Sequence, residues 1–441
     1  MADQLVPMLT GAYGHPVVQT PNLSRLVRDG VRFDAAYSPS PLCAPARACL
    51  MTGTHTSTNR VYDNAALLAS DIPTFAHYLT NAGYDCVLSG KMHFVGPDQL
   101  HGFRARFTPD IAHEELVTYS GRPPWSFSRD PASFRVEDGR ARAGRARAGR
   151  AYVGSEIHVG RWHFHLAYDD EVQFRAVEYL RARGATSTQG APAAAGSDQP
   201  FCLVTSYHHP HDPFWPPQDV WDLYDGAEID LPELPANLDE TYSVMDRWLN
   251  ANHGTHALPE LRDPATLRRL RRAYYALVTY VDRKVGELIQ TLENHGLWDD
   301  TVVVFRPLID GSDTSARTVF SEEHVEEVAT TCFMVRRGPW KYVHIHGLEA
   351  QLFNLEADPG EWHNLAGDPA HATVEAELRA ALLERFDPDA IERDVRRSLA
   401  ARRVIRDAMT RTGTLWGYRS DFDPNRDALR QYLPRSLPPS A

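Results

Sequence analysis

The chain has 441 residues, 43% hydrophobic and 24% charged, which is ordinary for a globular protein large enough to bury a sizeable core. A formal net charge of -12 argues against a nucleic-acid partner, which demands a basic face, and no apolar run is long enough to cross a membrane. The five scattered cysteines (Cys43, Cys49, Cys86, Cys202, Cys332) form neither a disulfide framework nor a zinc spacing, so a reducing, cytoplasmic compartment is expected.

The chain opens on Met1-Ala2-Asp3-Gln4-Leu5 with no charged-then-apolar leader, and Asp3 read alone is a solvated acid. Pro21-Asn22 opens a helix with Leu23, Leu26 and Val27 on one face. The stretch SPSPLCAPARACLMTG (Ser38 to Gly53) then sets Cys43, Pro45 and Arg47 as C-x-P-x-R ahead of good helix formers closed by Gly53. Cys43 should therefore stand at a helix N-terminus, where free N–H groups and the positive end of the helix dipole lower a thiol pKa and attract an anion. On position alone a cysteine there is most often a small buried hydrophobe.

Asp71 and Pro73 open a second helix that ends at Gly83, before the strand DCVLSG and the polar Lys91-Met92-His93. The basic repeat GRARAGRARAGRA (Gly139 to Ala151) reads as a solvated, flexible insertion. FCLVTSY (Phe201 to Tyr207) reads as a buried strand running into His208-His209-Pro210-His211-Asp212-Pro213. The clearest helix begins at Asp263-Pro264, carries apolar residues at helical spacing from Leu267 to Leu292, and ends at Gly296 before the strand TVVVF. This alternation predicts an α/β fold, a mostly parallel sheet sandwiched by helices, with the ligand site beyond the carboxyl ends of the strands. A smaller C-terminal α+β subdomain forms around the hairpin TCFMVRRGPWKYVHIH, giving units 1–310 and 311–441 with the boundary near Phe305 to Thr318.

C-x-P-x-R followed by Thr52-Gly53, Gly-Lys-x-His at Gly90 to His93 and the Pro-His of the post-strand loop resemble, in order and context, the sulfatases of the alkaline-phosphatase superfamily. DIPTFAHYL, LSGKMHFVGPDQLHGF, YDDEV, HPHDPF, RRAYYALVTYVDRKVGEL and the C-terminal QLFNLEADPGEWHNLA and DALRQY resemble the choline-sulfatase branch. The resemblance implies hydrolysis of choline sulfate or a related small sulfate monoester. Its nucleophile would be a formylglycine made from Cys43 by a formylglycine-generating enzyme. It implies a divalent metal, calcium or alternatively manganese or magnesium, on Asp3, Gln4 and residue 43. Arg47 would hold the nucleophile, Lys91 would meet the sulfuryl oxygens, His211 would be the acid for the leaving alcohol, and His93 would deprotonate the second hydroxyl.

The resemblance implies a quaternary-ammonium pocket to which the diverged region from about Glu114 to Arg161 contributes, with Trp125 and Trp162 as candidate cage members. Asp427 is the candidate carboxylate lent to a neighbouring subunit, which implies a homo-oligomer through the tail. Two departures from the family stand out. The first strand, whose end MADQL resembles, and the segment after TVVVF that carries an Asp-His or Asp-Asn ligand pair and a sulfate-binding Lys are expected to be missing; Asp310 and Asp313 read as loop residues. A phosphonate or phosphate diester hydrolase of the same superfamily, and a catalytically impaired remnant, are the alternative readings.

Overall fold

Strands of β-branched and small residues pair in parallel where intervening helices carry the chain back to the same edge. The computed structural model describes residues 1–110, 157–188, 199–253, 259–304, 318–326 and 328–412. Among them β1 (Ala2–Asp3), β2 (Asp85–Gly90), β3 (Ala105–Arg106) and β4 (Phe201–Pro210) form a parallel sheet in the order β1-β4-β2-β3. All carboxyl ends point to one side, so Asp3, Lys91, Arg106 and His211 gather there.

Helices α1 (Pro21–Asp29), α2 (Cys43–Thr52), α3 (Thr56–Asn59), α4 (Phe75–Asn81), α5 (Phe164–Thr188), α6 (Gln218–Asp222), α7 (Leu238–Thr241), α8 (Val244–His253) and α9 (Pro264–Asn294) accompany the sheet. Ala44, Ala48 and Met51 of α2 and Ala76 of α4 pack with Cys86 and Leu88 of β2 in one cluster. Tyr168 and Val172 of α5 pack with Tyr207 of β4 and Val281 of α9 in another. Full burial of the larger of these side chains, such as Met51, Leu88, Val172 and Val281, contributes about 1.5–3 kcal/mol each, enough to fix the helices against the strands. Helix α9 matches its expected span, because the Asp263 side chain caps it by accepting from Thr266 N (2.8 Å) and Pro264 supplies the first turn. Helix α4 starts later than the Asp71 signal predicts. Thr74 and His77 make reciprocal capping bonds there, and this local pair wins over the earlier acid.

The second unit is an antiparallel sheet of β5 (Val319–Glu323), β6 (Cys332–Arg337), β7 (Trp340–Ile345) and β8 (Gln351–Asn354), in sequence order, covered by α10 (Ala372–Arg385), with α11 (Pro388–Thr412) following. The predicted hairpin is β6 and β7, paired from Cys332–Ile345 to Arg337–Trp340 around Gly338, which adopts φ +57°. This sheet supports the loop before Cys43: Glu322 N donates to Pro39 O (2.9 Å), and Ser57 donates through N and Oγ to Glu322 Oε1 (both 3.0 Å). The expected boundary near Phe305 to Thr318 lies almost wholly outside the described residues.

Two strand expectations are corrected. Thr301–Val304 carries no strand, and Val302 is 78% exposed. A β-branched run becomes a strand only where a neighbour accepts its ladder, and none of the described strands pairs with it. FCLVTSY is a strand, yet Phe201–Thr205 is only half-buried and full burial begins at Ser206. The cause is its edges: β2 covers Phe201–Ser206 on one side, whereas β1 reaches only Tyr207 and Pro210 on the other.

Candidate active site

Cys43 is the first residue of α2, after an extended Leu42 that offers no side-chain cap, and Gly53 closes the helix in the left-handed region. Asn64 Oδ1 takes the Ala44 N–H (2.8 Å), which anchors the turn and leaves the helix start facing the strand ends. Gly90, at the end of β2, is needed there: its φ is +116° and a Cβ would lie 1.9 Å from Ser206 O. The chain can thus turn sharply out of the sheet and present Lys91 and His93.

Arg47, one turn into α2 and 5% exposed, ties three strands together. Its guanidinium donates to Lys91 O (2.5 Å) after β2 and to Ser206 Oγ (3.0 Å) on β4, and it pairs with Asp3 Oδ1 (3.3 Å) on β1. Lys91 Nζ lies 2.5 Å from Asp3 Oδ2. Burial pushes the Asp3 carboxyl up, but Lys91, Arg47 and His211 outweigh it and hold the group well below the usual carboxylate range. Burial and the Asp3 charge likewise push the Cys43 thiol up, and Lys91 with the His211 and His93 imidazoles pulls it down to about 6. Burial disfavours the imidazolium of His211, yet its neighbour Asp212 and the Cys43 thiolate raise it well above its ordinary pKa, so it carries a proton near neutrality.

Two carboxylates that sequence reasoning missed hold these loops. Asp110 accepts from Met92 N (3.0 Å), Phe94 N (3.1 Å) and Arg106 (2.8 Å). Those bonds bracket His93, which sits at φ +58°, a region costly for a residue with a Cβ and found where surroundings enforce it. Asp169 of α5, fully buried, accepts from the backbone of His208 (2.7 Å) and His209 (3.0 Å) and from His209 Nδ1 (2.7 Å), fixing the strand exit that delivers His211. Asp169 lies inside YDDEV, so the motif was visible, but its partner loop 39 residues later was not.

Asp3, Cys43, Arg47, Lys91, His93 and His211 are therefore brought together. Gln4 is not: its side chain is exposed, it adopts φ +55°, and its carbonyl accepts from Tyr274 (2.6 Å). Trp162 is 68% exposed. Trp125, Asp310, Asp313 and Asp427 lie outside the described residues, as does nearly all of the Glu114 to Arg161 region. No helix among the described residues is long and apolar enough to cross a membrane.

A cysteine at a helix start, ringed by Lys, Arg and imidazolium beyond the carboxyl ends of a parallel sheet, is an arrangement of an α/β fold suited to an anionic group. The sulfatase family model matches residues 1–306, and the chain belongs to that family. It is 33% identical to the choline-sulfatase of Rhizobium meliloti (strain 1021) over 515 aligned positions, covering 98% of this chain and 94% of the relative. That alignment is longer than the 441-residue chain, so the relative carries segments with no counterpart here. Among solved structures, a 2-O GAG sulfatase superimposes with TM-score 0.59 at 19% identity, covering 90% of this chain and 92% of that one. The phosphonate monoester hydrolase of Agrobacterium radiobacter gives TM-score 0.58 at 21% identity, covering 87% and 94%. These likenesses establish the alkaline-phosphatase/sulfatase fold, common to sulfate and phosphonate chemistry.

The family's chemistry generally uses formylglycine and a divalent metal. A calcium ion takes about six to eight oxygen ligands and magnesium about six. The described residues bring one carboxylate to the cluster, Asp3, and its two oxygens already face Lys91 and Arg47. The donor set of the described residues thus does not fit a hard, oxygen-bound ion.

Proposed function

We propose that the protein hydrolyses a small sulfate monoester, choline sulfate or a close relative, with formylglycine at position 43 as nucleophile. The observation that carries this reading is the convergence of Cys43, at the start of α2, with Lys91, His93 and His211 at the strand ends. Conversion of Cys43 would place an aldehyde at the start of α2 and supply the hydroxyl nucleophile that a thiol there does not. Lys91 neutralises the sulfuryl oxygens as charge develops on them. His211, kept protonated by Asp212, donates its proton to the departing alcohol. His93, beside residue 43, accepts the proton of the second hydroxyl so that sulfate leaves. Arg47 does not touch substrate in this scheme; it holds Asp3, Lys91 and β4 in register. The choline headgroup is supported by the choline-sulfatase relative at 33% identity.

Co-expression with a formylglycine-generating enzyme should convert Cys43, because the tag Leu42 to Gly53 is intact. Peptide mass analysis that finds only the thiol removes the nucleophile from this reading. With the converted protein, choline sulfate should compete with an aryl sulfate at the site. Equal or better turnover of an uncharged alkyl sulfate would show that no quaternary-ammonium pocket exists and would leave only the sulfate-ester assignment.

A further inference from the structure

We infer that His208 is a positioning residue for His211: its ring holds the Asp212 carbonyl and packs against the His211 imidazole, and so aims His211 at the oxygen of the departing alcohol. The inference rests on the sulfate ester reading above and adds the side chain that orients its acid. His208 Nε2 and His211 Nδ1 both lie 2.9 Å from Asp212 O. A carbonyl oxygen only accepts, so each of those nitrogens carries a hydrogen and donates it there. The Asp212 carboxylate also meets His211 Nδ1 (3.1 Å), which leaves Nε2 as the nitrogen turned toward residue 43, whose thiol the ring engages.

The His208 ring is itself fixed from behind. Its backbone N–H donates to Asp169 of α5 (2.7 Å), and the side chain is fully buried. It stacks on His165 of the same helix with centroids 4.5 Å apart and planes at 26°, and lies 4.7 Å from the His211 ring, tilted by 39°. Burial, with the charges of His211 and Lys91, holds the His208 imidazole well below its ordinary pKa, so it stays neutral. With Nε2 committed as the donor, Nδ1 of the neutral ring carries no hydrogen. A second imidazolium here would repel the one on His211; a neutral donor orients its neighbour without that cost. The acid is thus carried to the strand ends along His165, His208 and Asp212.

The test uses the full converted chain and compares, within each variant, kcat/KM for an alkyl sulfate, whose alcohol needs a proton to leave, with that for nitrophenyl sulfate, whose phenolate leaves without one. General acid catalysis is worth about 10²–10⁴-fold, and H211Q sets that full loss on the alkyl ester. H208F keeps a ring and removes the donor. It should lower alkyl sulfate kcat/KM at least about tenfold, through kcat rather than KM, while nitrophenyl sulfate changes less than about threefold. H208Q, which returns an N–H near the position of Nε2, should recover part of the loss. An equal fall on both esters, as a merely structural role produces, or a selective loss in H211Q with none in H208F, overturns the inference and leaves the sulfate ester reading standing. If H211Q itself spares the alkyl ester, the acid assignment in that reading fails and takes the inference with it. A second measurement needs no turnover: in the unconverted chain, isotopically labelled in its histidine nitrogens, magnetic resonance should find His208 as the Nε2–H form, and H208F should shift the His211 ring signals, identified by their loss in H211Q. A hydrogen on His208 Nδ1 in place of Nε2, or His211 signals unmoved by H208F, overturns the inference.

Discussion

Replacing Asp3 by alanine should destabilise the fold by about 3–5 kcal/mol, the size expected when one member of a buried ion pair is deleted. Lys91 is 2% exposed and Arg47 is 5% exposed, so neither can reach water to recover its hydration once the carboxylate is gone. Urea unfolding of D3A against the parent reads the loss directly, and the double variant D3A/K91M should recover part of it, because it deletes a stranded charge along with its partner. A D3A midpoint within about 0.5 kcal/mol of the parent, the range of ordinary surface substitutions, would show that the Asp3–Lys91–Arg47 cluster carries no such strain. The same cluster sets an acid limit. Asp3 titrates well below its unfolded value of 3.8, so its stabilisation is complete above that value and declines as pH falls through the acid range. D3A should accordingly show a flatter stability profile below about pH 4 than the parent.

Why the sequence exposed this cluster only in part follows from how far each signal travels along the chain. The start of α2, the cap of α9 and the β6–β7 hairpin are written in a few consecutive residues: Leu42-Cys43, Asp263-Pro264 and Arg337-Gly338. Each is a local backbone problem with a local solution, so reading in order suffices. The carboxyl-end rule for parallel sheets then predicted where Lys91, His93 and His211 would meet. What stayed hidden were links between distant segments: Arg402 clamping Asp63 at 2.7 and 2.6 Å, Asp110 bracketing His93, and Asp169 holding the His208-His209 backbone. A buried Asp looks like any acid in sequence until the backbone N–H groups it satisfies are known. Thr301 to Val304 failed for the converse reason. Its composition is strand-like, but a strand is a property of two segments, and no described partner exists.

The converted, aldehyde-bearing chain should show turnover about a thousandfold or more below that of an efficient enzyme and should not retain stoichiometric calcium. A bound divalent ion both activates the nucleophile and stabilises charge on the transferred group, and losing several kcal/mol from those effects together costs that much in rate. Among the described residues, Asp3 is the one carboxylate at the nucleophile, and Lys91 at 2.5 Å already neutralises it. Gln4 faces away into solvent, so it adds no oxygen to the cluster. What remains among the described residues is a cationic cluster of Lys91, Arg47 and His211, the last held protonated by Asp212, with Asp3 as its one carboxylate. Inorganic sulfate should therefore bind and inhibit whatever turnover is present, while added calcium should leave both Tm and rate nearly unchanged. Metal analysis of the purified chain, with a calcium titration of aryl sulfate turnover, decides the matter. One calcium per chain together with enzyme-like rates would mean that residues outside the described ones complete the ligand set, and that the pairing of Asp3 with Lys91 yields to the ion when it binds.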